Sequence, residues 1–136
     1  MNIFLCCSKH FYNKIPPIKA GLEKRGHLVT LPNSYDNPAK EAEMKSVGYK
    51  EHATWKAGML REQVKKVAAN DAVLVLNFEK DGQANYIGGA TFLEMYKAFE
   101  LEKKIFLYHP APDGMLKDEI LGFEPLVINE DLSLIK

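Results

Sequence analysis

Short apolar runs alternate with amphipathic stretches along this chain. NIFLCC (Asn2–Cys7) has no polar residue between Ile3 and Cys7, which suits a strand buried on both faces. After a turn, SKHFYN, Ile15, Ile18 and Leu22 recur at helical spacing. Pro16 and Pro17 fall in the first turn of that helix, where a missing N–H costs little. Gly26 is placed to stop it, and HLVTLP (27–32) reads as a second strand. From Asn33 to about Tyr49 the chain is polar and carries Pro38 and Gly48, which predicts a loop with room for one short helix. A loop of that length in a compact domain often walls or covers a ligand site. Trp55, Leu60, Val64 and Val67 mark the next helix, and AVLVLN (72–77) a third strand. A polar loop, FEKDGQANYI (78–87), leads into the helix GGATFLEMYKAFELEK (88–103). A fourth strand, KIFLYH, a short helix, DGMLKDEILG, and a fifth strand, EPLVIN, complete the pattern. On the wheel of the helix from Gly88, Phe92, Met95, Tyr96 and Phe99 form the side expected to face the sheet.

Strands alternating with helices predict one α/β domain over residues 1–136. The expected form is a flavodoxin-like three-layer sandwich around five parallel strands in the order 2-1-3-4-5. In such sheets ligands bind beyond the carboxyl ends of the strands, where strand order reverses. That edge receives Ser8–Phe11, Asn77–Tyr86 and His109–Gly114, together with Gly88, Gly89 and Glu94 at the start of the long helix.

Composition narrows the function classes. Hydrophobic residues make up 46% and charged residues 26%, and Lys plus Arg balance Asp plus Glu at 18 each. No overall field therefore recruits a nucleic-acid polymer or an anionic membrane. No apolar run approaches the roughly 20 residues needed to cross a bilayer. The opening MNIFLCCSKHF does not read as a secretion signal, so a cytoplasmic protein is expected. Cys6 and Cys7 are neighbours in a strand and point to opposite faces, poorly placed to bridge or to share a metal. The four histidines show no metal-binding spacing, and neither a metal nor a cofactor is expected.

Glu94 reads two ways. It is either a solvated helix residue, pairing with Lys97 three positions on, or a catalytic group at a cleft mouth. Its own stripe, Ala90, Ala98 and Leu101, carries no charge, which predicts that this side is covered by a cleft wall or a second subunit. The pair Gly88–Gly89 before a helix also suits an anion.

CCSKHF after the first strand, NDAVLVLN on the third, and GGATFLEMYKAFELEKKIFLY together resemble the nucleoside 2-deoxyribosyltransferase superfamily, which includes the deoxynucleoside 5'-monophosphate N-glycosidases. The resemblance follows element order over nearly the whole chain and is most specific from Asn70 to Leu107. It implies that Glu94 is the nucleophile on the sugar's anomeric carbon, forming an ester that water or a second base resolves. It also implies that Ser8 holds the sugar's 5' end or its phosphate, with Lys9 and His10 adding charge, and that subunits pair as a homodimer or larger homo-oligomer. Asn77, Asn85 and Tyr86, in a loop longer than the family's usual one, are candidates for base contacts or simply turn-makers. Gly88 and Gly89 complete the candidate substrate site.

The family pattern is not complete in this chain. The family's aspartate on the helix before the third strand corresponds to Gln63, which can neither give nor take a catalytic proton. Its neighbour Glu62 is turned about 100° round the helix, and Asp71 is expected to tie the start of the strand. The phosphate-binding serine after the fourth strand falls near Lys117 and Asp118, and Cys7 replaces the glycine of the first turn. The reading is thus N-glycosidic bond cleavage or transfer on a nucleoside or nucleotide, without a cofactor. The alternatives are a nucleotide sensor that has lost turnover, or a flavodoxin-like domain with an unrelated ligand.

Overall fold

The computed structural model describes every residue from Met1 to Lys136. Five strands, β1 (Asn2–Cys6), β2 (Leu28–Thr30), β3 (Ala72–Val75), β4 (Lys104–Leu107) and β5 (Leu126–Val127), form one sheet in the order β2-β1-β3-β4-β5. Every neighbouring pair is parallel, with Cys6 opposite Val75 and Val75 opposite Leu107 at the carboxyl edge. Five helices accompany it: α1 (Ile15–Lys24), α2 (Lys40–Val47), α3 (Tyr49–Ala69), α4 (Gly89–Glu100) and α5 (Lys117–Gly122). The expected flavodoxin-like sandwich is therefore the fold.

Strand alternation divides the core in two. Ile3, Leu5 and Leu74 face Ile15, Ile18 and Leu22 of α1 and the C-terminal Ile128 and Ile135. Phe4, Cys6, Val73 and Val75 face Val67 of α3, Met95 and Ala98 of α4, and Ile120 of α5. Both sides of β1 and β3 are thus dry, as their unbroken apolar runs require. Cys6 and Cys7 are free thiols on opposite sides of the sheet.

Local signals set the element ends. Pro16 and Pro17 sit in the first turn of α1. Gly26 closes it in the left-handed region (φ 89°), with its N–H on Glu23 and the next N–H, of His27, on Leu22. Asp71 Oδ2 accepts from the Asn2 N–H at 2.7 Å, tying β3's start to β1. The segment after β2 does hold a short helix, α2. Glu41 bonds His52 Nε2 at 2.9 Å and Lys56 Nζ lies 3.2 Å from it, fastening α2 to α3. α3 begins at Tyr49, six residues before the first apolar marker, Trp55. Its first turns meet α2 through Glu41, and they carry no apolar stripe of the kind sheet contact imposes.

The face of α4 is the one clear correction. Its buried residues are Thr91, Glu94, Met95 and Ala98, whereas Tyr96 and Phe99 are about half exposed. Phe92, Tyr96 and Phe99 instead gather round Phe123, with ring centroids 5.5, 6.3 and 5.5 Å from it. A helix lying close on a sheet needs small side chains at the contact, and Ala98 and Thr91 supply them. The bulky rings are left to flank. This rotation carries Glu94 inward.

Candidate functional site

A cleft of about 240 Å³ opens at the carboxyl edge of the sheet, beside β1 and β3. Five pieces of chain build it. The turn after β1 gives Cys7, Ser8, Lys9, His10 and Tyr12, and the segment after β2 gives Pro32, Asn33, Ser34, Pro38 and Glu41. α3 adds Trp55, Lys56, Met59 and Gln63, and the start of α4 adds Gly88 to Thr91 and Glu94, with Lys80 from the loop before it. The long polar segment after β2 is therefore a wall of the cleft.

Glu94 lies deep in this cleft and is only 7% exposed. It belongs to no ion pair, because Lys97 pairs with Glu100 instead. Burial pushes its carboxyl up to about 8, against the lowering effects of the Cys6 thiol, Lys66 and Lys56. At pH 7 most copies are protonated. Gln63 is equally buried and donates from Nε2 to the Ala90 carbonyl at 3.3 Å. That carbonyl lies one turn before Glu94 on α4, so Gln63 stands against the turn carrying the carboxyl.

The cleft's other carboxyl, Glu41, is committed elsewhere. Burial would raise it, but hydrogen bonds from His52 and Lys56 outweigh that and hold it below the usual carboxylate range. Burial likewise pushes the Cys7 thiol up to about 12, with Glu94 nearby adding to the rise, so this thiol is inert at neutral pH. Glu94 is the one cleft carboxyl free to do chemistry.

A second, almost wholly apolar hollow of about 160 Å³ lies between α3 and α4. Leu60, Val64, Val67, Leu93 and Tyr96 line it, and it shares Gln63 and Glu94 with the main cleft. These two residues thus form the partition between a polar cavity and an apolar one.

Five of the sequence-predicted site residues meet here: Glu94, Ser8, Lys9, Gly88 and Gly89. Ser8 Oγ also accepts from the His10 N–H at 3.3 Å, capping the turn that follows β1. Three others stand apart from the cleft. Asn77 is fully buried, donates to the His109 and Pro110 carbonyls at 2.9 and 3.0 Å, and accepts from the His109 N–H at 2.9 Å. Its amide pins the ends of β3 and β4. Asn85 holds a left-handed turn (φ 57°). Tyr86 packs edge-on to Phe11 at 6.4 Å, and Lys80 Nζ lies 4.4 Å from its ring centroid. A Cβ on Gly88 would come within 3.3 Å of the Tyr86 hydroxyl, so the ring also sets the path into α4. Lys117 pairs with Asp113 at 2.8 Å and is not a cleft residue.

Sequence reasoning passed over Trp55, Met59 and Asn33 as cleft residues. Trp55, Met59 and Gln63 share an i, i+4, i+8 stripe that was legible in the sequence. No group of three or more His, Cys, Asp or Glu side chains lies together in a way that would hold a metal ion. No helix is long and apolar enough to cross a membrane. No family model matches the chain, and no curated protein matches it.

Proposed function

We propose that this chain is a nucleoside 2-deoxyribosyltransferase-like protein that cleaves or transfers the N-glycosidic bond of a nucleoside or nucleotide. The observation that supports this most is the buried, unpaired Glu94 at the bottom of a polar cleft at the carboxyl edge of the sheet. The residues of the resemblance, Ser8, Lys9, Gly88 and Gly89, converge on the same cleft.

The reaction begins with ionised Glu94. One carboxylate oxygen attacks the anomeric carbon, and the bond to the base nitrogen breaks with its electron pair leaving on the base. A proton then completes the departing base. Gln63 has none to give, and Glu41 is held by His52 and Lys56. A water molecule in the cleft gives that proton and is left as hydroxide. That hydroxide, or a second base whose N–H proton the hydroxide takes, next attacks the anomeric carbon and releases the carboxylate. Ser8 and Lys9, at the mouth, suit the sugar's 5' oxygen or a phosphate there.

Leu93, Tyr96 and Phe99 of α4 and Leu101 just after it are 39–49% exposed, as is Val64 of α3 at 39%. This apolar face supports a homodimer in which a second copy covers the hollow beside Glu94 and Gln63.

A second reading, nucleotide binding without turnover, draws on Gln63 and on the protonated state of Glu94 at neutral pH. The two separate on one experiment. A panel of ribo- and deoxynucleosides and their 5'-monophosphates is incubated with the parent and with Glu94→Gln, with and without an acceptor base. Base release by the parent alone supports the enzyme. Binding with no release supports the sensor.

A further inference from the structure

We infer that the α3 wall of the cleft is a ring-reading subsite, in which Trp55 takes a flat nitrogenous ring and Asn33 Oδ1 accepts a hydrogen bond from that ring's N–H edge. The inference rests on the N-glycosidic reading above and adds which residues choose the base.

Two independent observations meet at this wall. The first is an unmatched acceptor. Asn33 Nδ2 donates to the Met59 carbonyl at 3.0 Å, which fixes the amide's orientation and leaves Oδ1 turned away from that bond. Oδ1 is shut off from solvent and is the single buried side-chain polar atom in the chain with no partner. A buried acceptor left unmade costs folding free energy, and a ligand donor removes that cost. Asn33 itself lines the cleft, and a ligand reaches Oδ1 when the Pro32–Pro38 segment beside it shifts.

The second observation is the aromatic stripe. Trp55, Met59 and Gln63 occupy successive turns of one side of α3, and all three line the cleft. Eight residues of helix separate Trp55 from Gln63, a rise of about 12 Å. A sugar seated at Glu94 beside Gln63 therefore sends its base up the stripe, past Met59, toward the indole. His52 stacks on that indole, with centroids 6.1 Å apart and planes 27° from parallel, and His52 is itself bonded to Glu41. The indole is thus held in place before any ligand arrives. A stacked ring is recognised by its face and an N–H by Asn33, so ligand class and base choice come from two separate side chains.

Trp55 is the only tryptophan in the chain, so its fluorescence reports this subsite alone. Adenosine, guanosine, cytidine and uridine, the corresponding deoxynucleosides and the 5'-monophosphates of both sets are titrated against the intact protein, and binding is followed in parallel by equilibrium dialysis. Ribose 5-phosphate serves as the ring-less control. The tightest binder is then compared with purine riboside or pyrimidin-2-one riboside, which lack the N–H donor at the ring edge. The expected result is saturable quenching by the nucleoside and none by ribose 5-phosphate. Asn33→Ala should weaken the nucleoside about tenfold and leave the donor-less analogue unchanged, and Trp55→Leu should weaken both about tenfold or more. Dialysis that shows binding while Trp55 fluorescence stays constant overturns the inference and leaves the N-glycosidic reading standing. Equal weakening of both ligands by Asn33→Ala overturns the role of Asn33. Failure of every nucleoside and 5'-monophosphate to bind by dialysis overturns the N-glycosidic reading, and this inference with it.

Discussion

Glu94 holds its proton because the fold holds Glu94 away from water. Its carboxyl is raised to about 8 in the folded chain, against the ordinary carboxylate value once unfolded. The folded state therefore binds the extra proton between roughly pH 4.5 and 8, and stability falls as pH climbs through that window. Above pH 8 the full cost of a buried charge is present, about 5 kcal/mol for a shift of this size. Glu94→Gln keeps the shape and removes the charge. It should raise the melting temperature at pH 9 by roughly 15 °C, with the difference vanishing near pH 4, as followed by calorimetry across pH. A gain that does not depend on pH would contradict the assignment. Asn77 makes the opposite case, since its amide joins two strand ends rather than meeting substrate. Asn77→Ala should cost roughly 1–3 kcal/mol in urea unfolding through the buried groups it orphans, and a neutral effect would return Asn77 to the site. From sequence, an Asn after a strand looks the same in either role, because only the folded partner of its amide decides.

At the scale of elements, strand order and helix order were legible because apolar runs and helical spacing are written in neighbouring residues. The face of α4 was not. Phe92, Tyr96 and Phe99 outweigh Ala98 and Thr91 on any wheel, yet closeness to the sheet favours the small pair. Ala98→Leu should therefore destabilise by about 1–3 kcal/mol through overpacking against β3 and β4. Phe99→Leu, on the half-exposed side, should cost less than about 1 kcal/mol. Equal costs at the two positions in thermal unfolding would restore the aromatic face to the sheet. The length of α3 was hidden for a related reason, because its first turns meet α2 and carry no apolar stripe of the kind sheet contact imposes. The cleft residues on that helix were hidden with it. Trp55 reads as core by composition and stands in the cleft by geometry.

For the whole molecule, the rule that ligands meet a parallel sheet at its carboxyl edge located the cleft before any side chain was placed. It found Ser8, Lys9, Gly88, Gly89 and Glu94 together, and it swept in Asn77, Asn85 and Tyr86, which share the edge but not the cavity. The apolar hollow between α3 and α4 was foreshadowed only by the uncharged stripe along Glu94. If a second copy covers it, sedimentation should show a dimer in the parent and a monomer in Leu93→Lys, whose side chain is about half exposed and borders the hollow. A parent that sediments as a monomer at every concentration would remove the partner from the account.

The most direct test of Glu94 as the nucleophile is the pH dependence of base release by the parent, with Glu94→Gln beside it, on the best substrate of the panel. The account predicts release that rises tenfold per pH unit at acid pH and levels off above about 8, as the carboxylate forms. It also predicts no release by Glu94→Gln at any pH. Release that persists in Glu94→Gln, or a parent profile flat from pH 5 to 9, would contradict it and take the chemistry away from this carboxyl.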